Sequence, residues 1–146
     1  MRKSATFLRI AAFLTLLHAV LHTVGGVFGK PSPGPAAAAV LAMQTNRFLA
    51  MGHMRSFWDY YRGFGLSLTI FLTAEAIVFW QLAALAKSEA PRLRPILATF
   101  SIAYMALAVN SNTYFFLGPV MAEILIAACL VLAMVTAKSP PGLHAE

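Results

Sequence analysis

The sequence predicts an all-α integral membrane protein, and three observations support this: the composition, four long apolar windows, and the placement of the basic residues. Of the 146 residues, 60% are hydrophobic and only 11% are charged, and the mean hydropathy is +0.74. A soluble domain has about half apolar and about a quarter charged residues, so the composition excludes a soluble class. At this length we expect one transmembrane domain covering residues 1–146.

Four apolar windows are long enough to cross a bilayer as helices. Crossing about 30 Å of hydrocarbon takes roughly 20 helical residues, and each window supplies about that number. The expected spans are 7–28, 64–86, 95–114 and 119–137. The first begins within the basic stretch MRKSATFLR, which resembles the start of a signal peptide, but no clean A-x-A site follows and the apolar run is long. We therefore expect it to be retained in a four-helix bundle.

The basic residues predict which side of the membrane each loop occupies, because lysine and arginine are enriched in cytoplasmic loops. With the N-terminus inside, seven basic residues lie on the inner side and four on the outer side. The inner set is Arg2, Lys3, Arg9, Lys87, Arg92, Arg94 and Lys138, and the outer set is Lys30, Arg47, Arg55 and Arg62. We therefore expect both termini to be cytoplasmic.

The outer connection, residues 29–63, is too long for a simple turn. The prolines of PSPGP at 31–35 end the first helix, because proline removes a backbone donor and clashes with the preceding turn. Residues 36–54 then contain many strong helix formers. Ala37, Leu41 and Phe48 fall on one helical side, and Gln44, Arg47 and Arg55 fall on another. This pattern predicts an amphipathic helix lying on the extracytoplasmic surface between spans one and two.

Polar side chains inside the spans are the candidate site, because ionisable groups in hydrocarbon are costly and usually functional. At a rise of about 1.5 Å per residue, one layer of such side chains lies near the middle of the membrane and a second lies nearer the outer side. The middle layer contains His18, Glu75 and Tyr104, and the outer layer contains His22, Asn110 and Glu123. Since His18 and His22 lie four residues apart on one helical face, we expect a polar column with Trp58 and Tyr61 at its mouth.

Three functions remain open at this point. The leading hypothesis is that the column binds a small lipophilic molecule or lipid. The second is an accessory or structural subunit, in which the polar groups join helices and the Gly25/Gly29 spacing contacts another membrane protein or a second copy of the chain. The third is a proton-transfer enzyme, isomerase-like, that uses Glu75 and His18 as acid and base on a lipophilic substrate.

Cofactors and nucleic acid are not expected. A haem held between helices needs histidines on different spans, and the last three spans contain none. His18 and His22 have a spacing that suits zinc, but the adjacent glutamate usual in such motifs is missing, so zinc is only a weak alternative. The single cysteine, Cys129, excludes a disulfide framework. The basic residues are scattered between apolar spans, which indicates contact with lipid head groups and not with nucleic acid.

Three stretches of the sequence resemble a known family. They are HTVGG at 22–26, RSFWDYYRGFGLSLTIFL at 55–72 and YFFLGPVMAEILIAACLVLA at 114–133, and the most specific part is WDYYRGFG, residues 58–65. Together they resemble a family of small, uncharacterised bacterial four-span membrane proteins. The resemblance implies the four-span fold and a bacterial inner-membrane location. It brings no assigned activity, so it implies no catalytic residue.

Overall fold

The computed structural model describes residues 2 to 137, and these residues are mostly helical. In chain order the elements are α1 (Arg2–Leu21), continued by a π-helical segment (His22–Val27), α2 (Pro35–Thr45), β1 (Arg47–Ala50), β2 (His53–Ser56), α3 (Phe57–Leu85), a 3-10 turn (Ala90–Leu93), α4 (Arg94–Tyr114) and α5 (Leu117–Val135). Met1 and residues 138–146 lie outside the described residues. The second range includes Lys138, which the orientation count uses.

Four helical stretches within residues 2–137 are long and apolar enough to cross a membrane, which confirms the predicted number of spans. They are Lys3–Val27, Phe57–Leu85, Ala90–Tyr114 and Leu117–Val135. Each exposes more than half of some large apolar side chains, including Phe13, Ile70, Ile102 and Val135. Such surfaces are stable in lipid and unstable in water. The chain is therefore a multi-pass membrane protein.

The outer connection differs from its prediction. The helix predicted over residues 36–54 forms only as far as Thr45, where α2 ends, and the prediction is wrong beyond that residue because a β-hairpin follows. In the hairpin Arg47 pairs with Ser56 and Ala50 pairs with His53, which leaves Met51 and Gly52 as a two-residue loop. The all-α class is therefore wrong over this segment.

The amphipathic pattern is also lost, for a physical reason. Its charged side was made by Arg47 and Arg55, and both lie on strands in the structure. What remains helical, PAAAAVLAMQT, is apolar on all sides except at its last two residues. The two loop residues have positive φ angles, 46° at Met51 and 83° at Gly52. Positive φ at both central residues is what a type I′ hairpin turn requires, and it cannot continue a right-handed helix.

The hairpin ends where α3 begins, and two side chains fix this boundary. The Ser56 backbone N–H donates to Asp59 Oδ2 at 2.8 Å, and the Asp59 backbone N–H donates to Ser56 Oγ at 3.2 Å. The first N–H groups of a helix have no partner within the helix. The Ser56 hydroxyl supplies a partner for one of them, the N–H of Asp59, and the reciprocal pair sets the first residue of α3, as a capping box does.

The chain divides into two units, and the larger consists of residues 2–18 and 73–137. Its core is built from small alanines and from larger side chains of all four long helices, among them Leu8, Phe79, Leu97 and Ile126. The helices α4 and α5 are joined by only two residues, so they pack as an antiparallel pair. Arg94 donates to the carbonyl oxygen of Ala137 at 2.7 Å, which joins the start of α4 to the residues after α5.

The smaller unit consists of residues 19–72. It contains the end of α1 with its π-helical segment, α2, the hairpin and the first part of α3. The backbone N–H of Phe28 donates to the carbonyl oxygen of Thr23, a bond that spans five residues, as expected for a π-helix. Gly65 of α3 packs against this segment so closely that an added Cβ would lie 2.8 Å from Val27 Cγ2. The single domain that the length predicts stays a prediction.

Candidate functional site

A chain of polar side chains crosses the core of the larger unit. The hydroxyl of Tyr104 donates to Glu75 Oε2 at 2.6 Å and lies 3.5 Å from the hydroxyl of Thr15. The Thr15 hydroxyl donates to the carbonyl oxygen of Ala11. These contacts join α1, α3 and α4, and we call Thr15, Tyr104 and Glu75 the polar chain. It places a carboxyl group and a phenol in direct contact within the apolar spans.

The helix α4 positions Tyr104 by the spacing of its buried face. The buried residues of α4 are Leu97, Ser101, Tyr104, Ala108 and Ser111. These positions repeat every three to four residues, so they lie along one side of the helix. The ring of Tyr104 also lies beside Phe79, at 6.1 Å between ring centres, and Phe79 meets Phe100 edge to face at 5.0 Å. Aromatic packing therefore fixes the ring, and the hydroxyl is aimed at Glu75.

A second polar contact lies further along the same face of α4. The hydroxyl of Ser111 donates to Glu123 Oε1 at 2.9 Å. Glu123 is only 4% exposed, and its Oε2 atom forms no hydrogen bond within residues 2–137. An unpaired charged oxygen in such a place is costly, whereas a neutral carboxyl would need an acceptor. Glu123 is therefore incompletely satisfied, while Glu75 has a short and well-directed partner.

In the smaller unit, the two stretches HTVGG and WDYYRGFG contact each other. The hydroxyl of Tyr61 donates to the carbonyl oxygen of Gly26 at 3.0 Å. His22 Nε2 lies 3.0 Å from the carbonyl oxygen of Gly65, and since a carbonyl only accepts, the ring donates through Nε2. Thr23 and Thr69 join the same two helices through a hydroxyl contact of 2.8 Å. These contacts hold the π-helical segment against α3.

No protein-family model, curated protein or solved structure matches the chain. The resemblance carried by these stretches therefore stays a prediction, and the site must be interpreted from its own geometry.

The predicted site residues fall into the two units. In the larger unit Glu75 and Tyr104, which the depth count assigns to one layer, form a hydrogen bond. His18 is half-buried on α1, and its expected contact with Glu75 stays a prediction. Asn110, which was predicted to share a layer with Glu123, is exposed. The next residue along α4, Ser111, is the one that bonds to Glu123. Neighbouring helical residues point about 100° apart, so one of the two faces the core and the other does not.

The other three predicted residues lie in the smaller unit. His22 is half-buried and bonded to the backbone of α3. Trp58 and Tyr61 stack with ring centres 5.1 Å apart and an angle of 17° between their planes. Trp58 also lines a cleft in this unit. No group of three or more His, Cys, Asp or Glu side chains in the described part of the chain is placed to hold a metal ion.

The predicted site residues did not include Thr15, Ser111 or the Ser56–Asp59 pair. Thr15 lies three residues before His18, and Ser111 lies seven after Tyr104, so helical spacing was a signal for both. Hydroxyls in membrane helices often bond to their own backbone, which makes them hard to single out as partners. The Ser56–Asp59 pair matches the S-x-x-D/E signature of a helix start, and it was the available signal that the helix begins at residue 57.

The polar chain can do two things chemically. A phenol 2.6 Å from a carboxyl oxygen can exchange a proton with it, as acid–base chemistry requires. The same contact can also fix the carboxyl group so that a ligand with a hydrogen-bond donor finds it already oriented. Glu75 is half-buried and Tyr104 is 1% exposed. A ligand would therefore reach Glu75 first.

Proposed function

We propose that this protein binds a small lipophilic molecule within the membrane and that Glu75, oriented by Tyr104, holds the polar end of that molecule. The observation that carries the proposal is the 2.6 Å hydrogen bond from the Tyr104 hydroxyl to Glu75 Oε2. It explains why a carboxyl group is kept inside an apolar span, where charge costs several kcal/mol.

The exposure of the two groups supports the same proposal. If this hydrogen bond served only to join helices, both of its side chains could be fully buried. Here the donor is buried and the acceptor is half-buried. The carboxyl group is therefore both fixed from inside the protein and partly open to what lies outside. A hydroxyl, amide or amine on a lipophilic molecule is the group that fits it, because a carboxyl group recognises hydrogen-bond donors.

The experiment that tests this is native mass spectrometry of the protein purified in mild detergent. Glu75→Gln and Tyr104→Phe are compared with the wild type and with the matched controls Glu89→Gln and Tyr114→Phe. Glu89 and Tyr114 are exposed, and neither belongs to the polar chain. We expect a defined small molecule to copurify with the wild type and both controls and to be lost from the two site variants. Indistinguishable bulk phospholipid in all five proteins would contradict the proposal.

For the membrane arrangement we infer a four-helix bundle in a bacterial inner membrane with both termini in the cytoplasm. The inference is supported by the excess of basic residues on the side that contains the N-terminus and the connection between α3 and α4. It places residues 28–56, including the hairpin, on the extracytoplasmic side. The family resemblance supports the bacterial location.

A second candidate function, as an accessory subunit for another membrane protein, is favoured by one observation. Gly25 is exposed, and an added Cβ would meet nothing within 4 Å. Small exposed residues let a partner helix approach closely in a membrane. Gly25→Leu would block such an approach while leaving Glu75 in place. Loss of a copurifying protein in Gly25→Leu, with the small molecule unchanged, would identify this function separately.

A further inference from the structure

A second site lies within the smaller unit. It is a cleft of about 260 Å³ walled by the end of the π-helical segment and the loop after it, by α2, and by the start of α3. Its lining includes Phe28, Lys30, Gln44, Trp58 and Arg62. Drug-sized ligands occupy pockets of about 300–1,000 Å³. The cleft is below that range, so it suits a head group better than a whole molecule.

The charges around the cleft have one sign. Lys30 and Arg62 line it, and its lining contains no carboxylate. Residues 19–72 contain four basic side chains and a single acidic one, Asp59. That carboxylate is engaged by the backbone N–H of Ser56 at the start of α3. The cleft therefore attracts an anion.

Arg62 is held in a defined position at the cleft. Its guanidinium carbon lies 5.0 Å from the centre of the Phe28 ring, a distance typical of a cation–π contact. Stacking on a ring leaves the N–H groups at the edge of the guanidinium free to bond, and their fork matches two oxygens of a phosphate. The side chain is thus ordered before an anion arrives, which lowers the entropic cost of binding.

The position of the cleft in the chain suggests the source of the anion. Its walls come from the last residues of the first span, Lys3–Val27, and the first residues of the second, Phe57–Leu85. Span ends lie at the level of lipid head groups, where tryptophan, tyrosine and basic residues collect. Phe28, which lines the cleft, is 54% exposed, so the cleft offers an apolar surface beside its charged groups. A molecule with a phosphate and acyl chains fits both features.

We propose that this cleft binds the phosphate head group of an anionic membrane lipid, with Arg62 and Lys30 on the phosphate and the ring of Trp58 beside it. The site is independent of Glu75 and goes beyond the proposed function. The phosphate chemistry is shared with free inorganic phosphate, so the test includes both.

The experiment is a titration of the full chain in detergent, followed by native mass spectrometry. The probes are dioleoyl-phosphatidylglycerol, dioleoyl-phosphatidylcholine and inorganic phosphate. We expect phosphatidylglycerol to bind at least about tenfold more tightly than the other two, because the choline cation of phosphatidylcholine is repelled by Arg62 and Lys30 and inorganic phosphate has no acyl chains to bury. Equal affinity for the two lipids would overturn the proposal. Inorganic phosphate binding as tightly as phosphatidylglycerol would overturn the assignment to a lipid.

Matched variants locate the site within the unit. Arg62→Gln and Lys30→Gln remove charge from the cleft, whereas Arg47→Gln and Arg55→Gln remove the same charge from the hairpin. We expect each cleft variant to lose the preference for phosphatidylglycerol by about tenfold and each hairpin variant to keep it. Lys30 is an exposed loop residue, so its variant gives an answer even if Arg62→Gln folds poorly. An equal loss in all four variants would indicate diffuse surface charge and would contradict the cleft.

Discussion

The hydroxyl of Tyr61 on α3 donates a hydrogen bond to the carbonyl oxygen of Gly26 in the π-helical segment, at 3.0 Å. The two residues belong to the two sequence stretches, WDYYRGFG and HTVGG, that stand out in the smaller unit. Each stretch therefore supplies a hydrogen-bond partner for the other. A segment with five-residue hydrogen bonds is less regular than an α-helix, and a donor from a neighbouring helix stabilises it.

Tyr61→Phe tests this relationship. It removes one hydrogen bond and keeps the ring that stacks on Trp58. Because Tyr61 is 47% exposed, water replaces part of the loss, and we expect the free energy of unfolding to fall by about 0.5–1.5 kcal/mol. Thermal unfolding in detergent measures the change. The adjacent Tyr60→Phe is the control, since the Tyr60 ring stacks on Phe48, and an equal effect of both changes would contradict the role of the Tyr61 hydroxyl.

Gly65→Ala is expected to destabilise the smaller unit by about 1–3 kcal/mol, because its Cβ would overlap the side chain of Val27. Gly63→Ala is the matched control. A Cβ at Gly63 meets nothing within 4 Å, so alanine there should raise helix stability by up to about 1 kcal/mol. Adding Val27→Ala to Gly65→Ala should restore part of the loss. Two glycine variants of equal stability would mean that α3 and the π-helical segment are not in close contact.

Ser111→Ala is expected to lower the free energy of unfolding by about 1–3 kcal/mol, because it leaves both carboxyl oxygens of the buried Glu123 without a donor from residues 2–137. Asn112→Ala, a change at the next exposed position, should have an effect below about 0.5 kcal/mol. The double variant Ser111→Ala with Glu123→Leu removes both polar groups and should recover stability. Failure to recover would show that the carboxyl group has a further partner.

Asp59→Ala should shorten or fray the start of α3, because it removes the acceptor for the Ser56 backbone N–H. Asp59→Asn keeps an oxygen at the same place and should retain most of the stability. Hydrogen exchange at the first turn of α3 is the measurement that separates this effect from global unfolding. If the alanine and asparagine variants exchange alike, the carboxyl oxygen does not cap the helix.

The membrane orientation predicts which loops an impermeant thiol reagent can reach. In a Cys129→Ala background, Ser32→Cys lies in the loop before α2 and Ser88→Cys lies in the connection after α3. In intact cells of a bacterial host we expect a membrane-impermeant maleimide to label Ser32→Cys and to label Ser88→Cys only after the cells are broken. The reverse pattern would mean that the N-terminus is outside.

The spans could be predicted from sequence because hydropathy and length alone determine whether a helix can cross a bilayer. The depth count predicted the common layer of Glu75 and Tyr104 but not their hydrogen bond, because the expected partner of Glu75 was His18. Depth could not show that Ser111 and not Asn110 contacts Glu123, because a depth count ignores which side of the helix a residue faces. At a rise of about 1.5 Å, adjacent residues differ little in depth and yet face different surroundings.

The hairpin could not be predicted from propensity. Its strands, RFLA and HMRS, contain none of the β-branched residues that mark strands, and alanine, leucine and methionine favour helix. Its turn uses Met51 at positive φ, where asparagine or aspartate is usual. The Phe48 ring, at 5.0 Å from Phe57 and 6.1 Å from Tyr60, supplies packing that outweighs these local preferences.

The π-helical segment at His22–Val27 also determines which way the end of the first span faces. A turn closed by a five-residue hydrogen bond contains one residue more than a turn of α-helix. Everything after it is rotated by about 100° relative to an uninterrupted helix. Deleting one residue here, for example Val24, would let an ordinary α-helix form. The span would still be long enough to cross the bilayer. Val27 would then still face Gly65 and Phe28 would still face Arg62, because the wider turn accommodates the residue that the deletion removes. An α-helix formed without the deletion would turn both side chains by about 100°. The wider turn therefore sets the phase of the span after it, and the cleft depends on that phase.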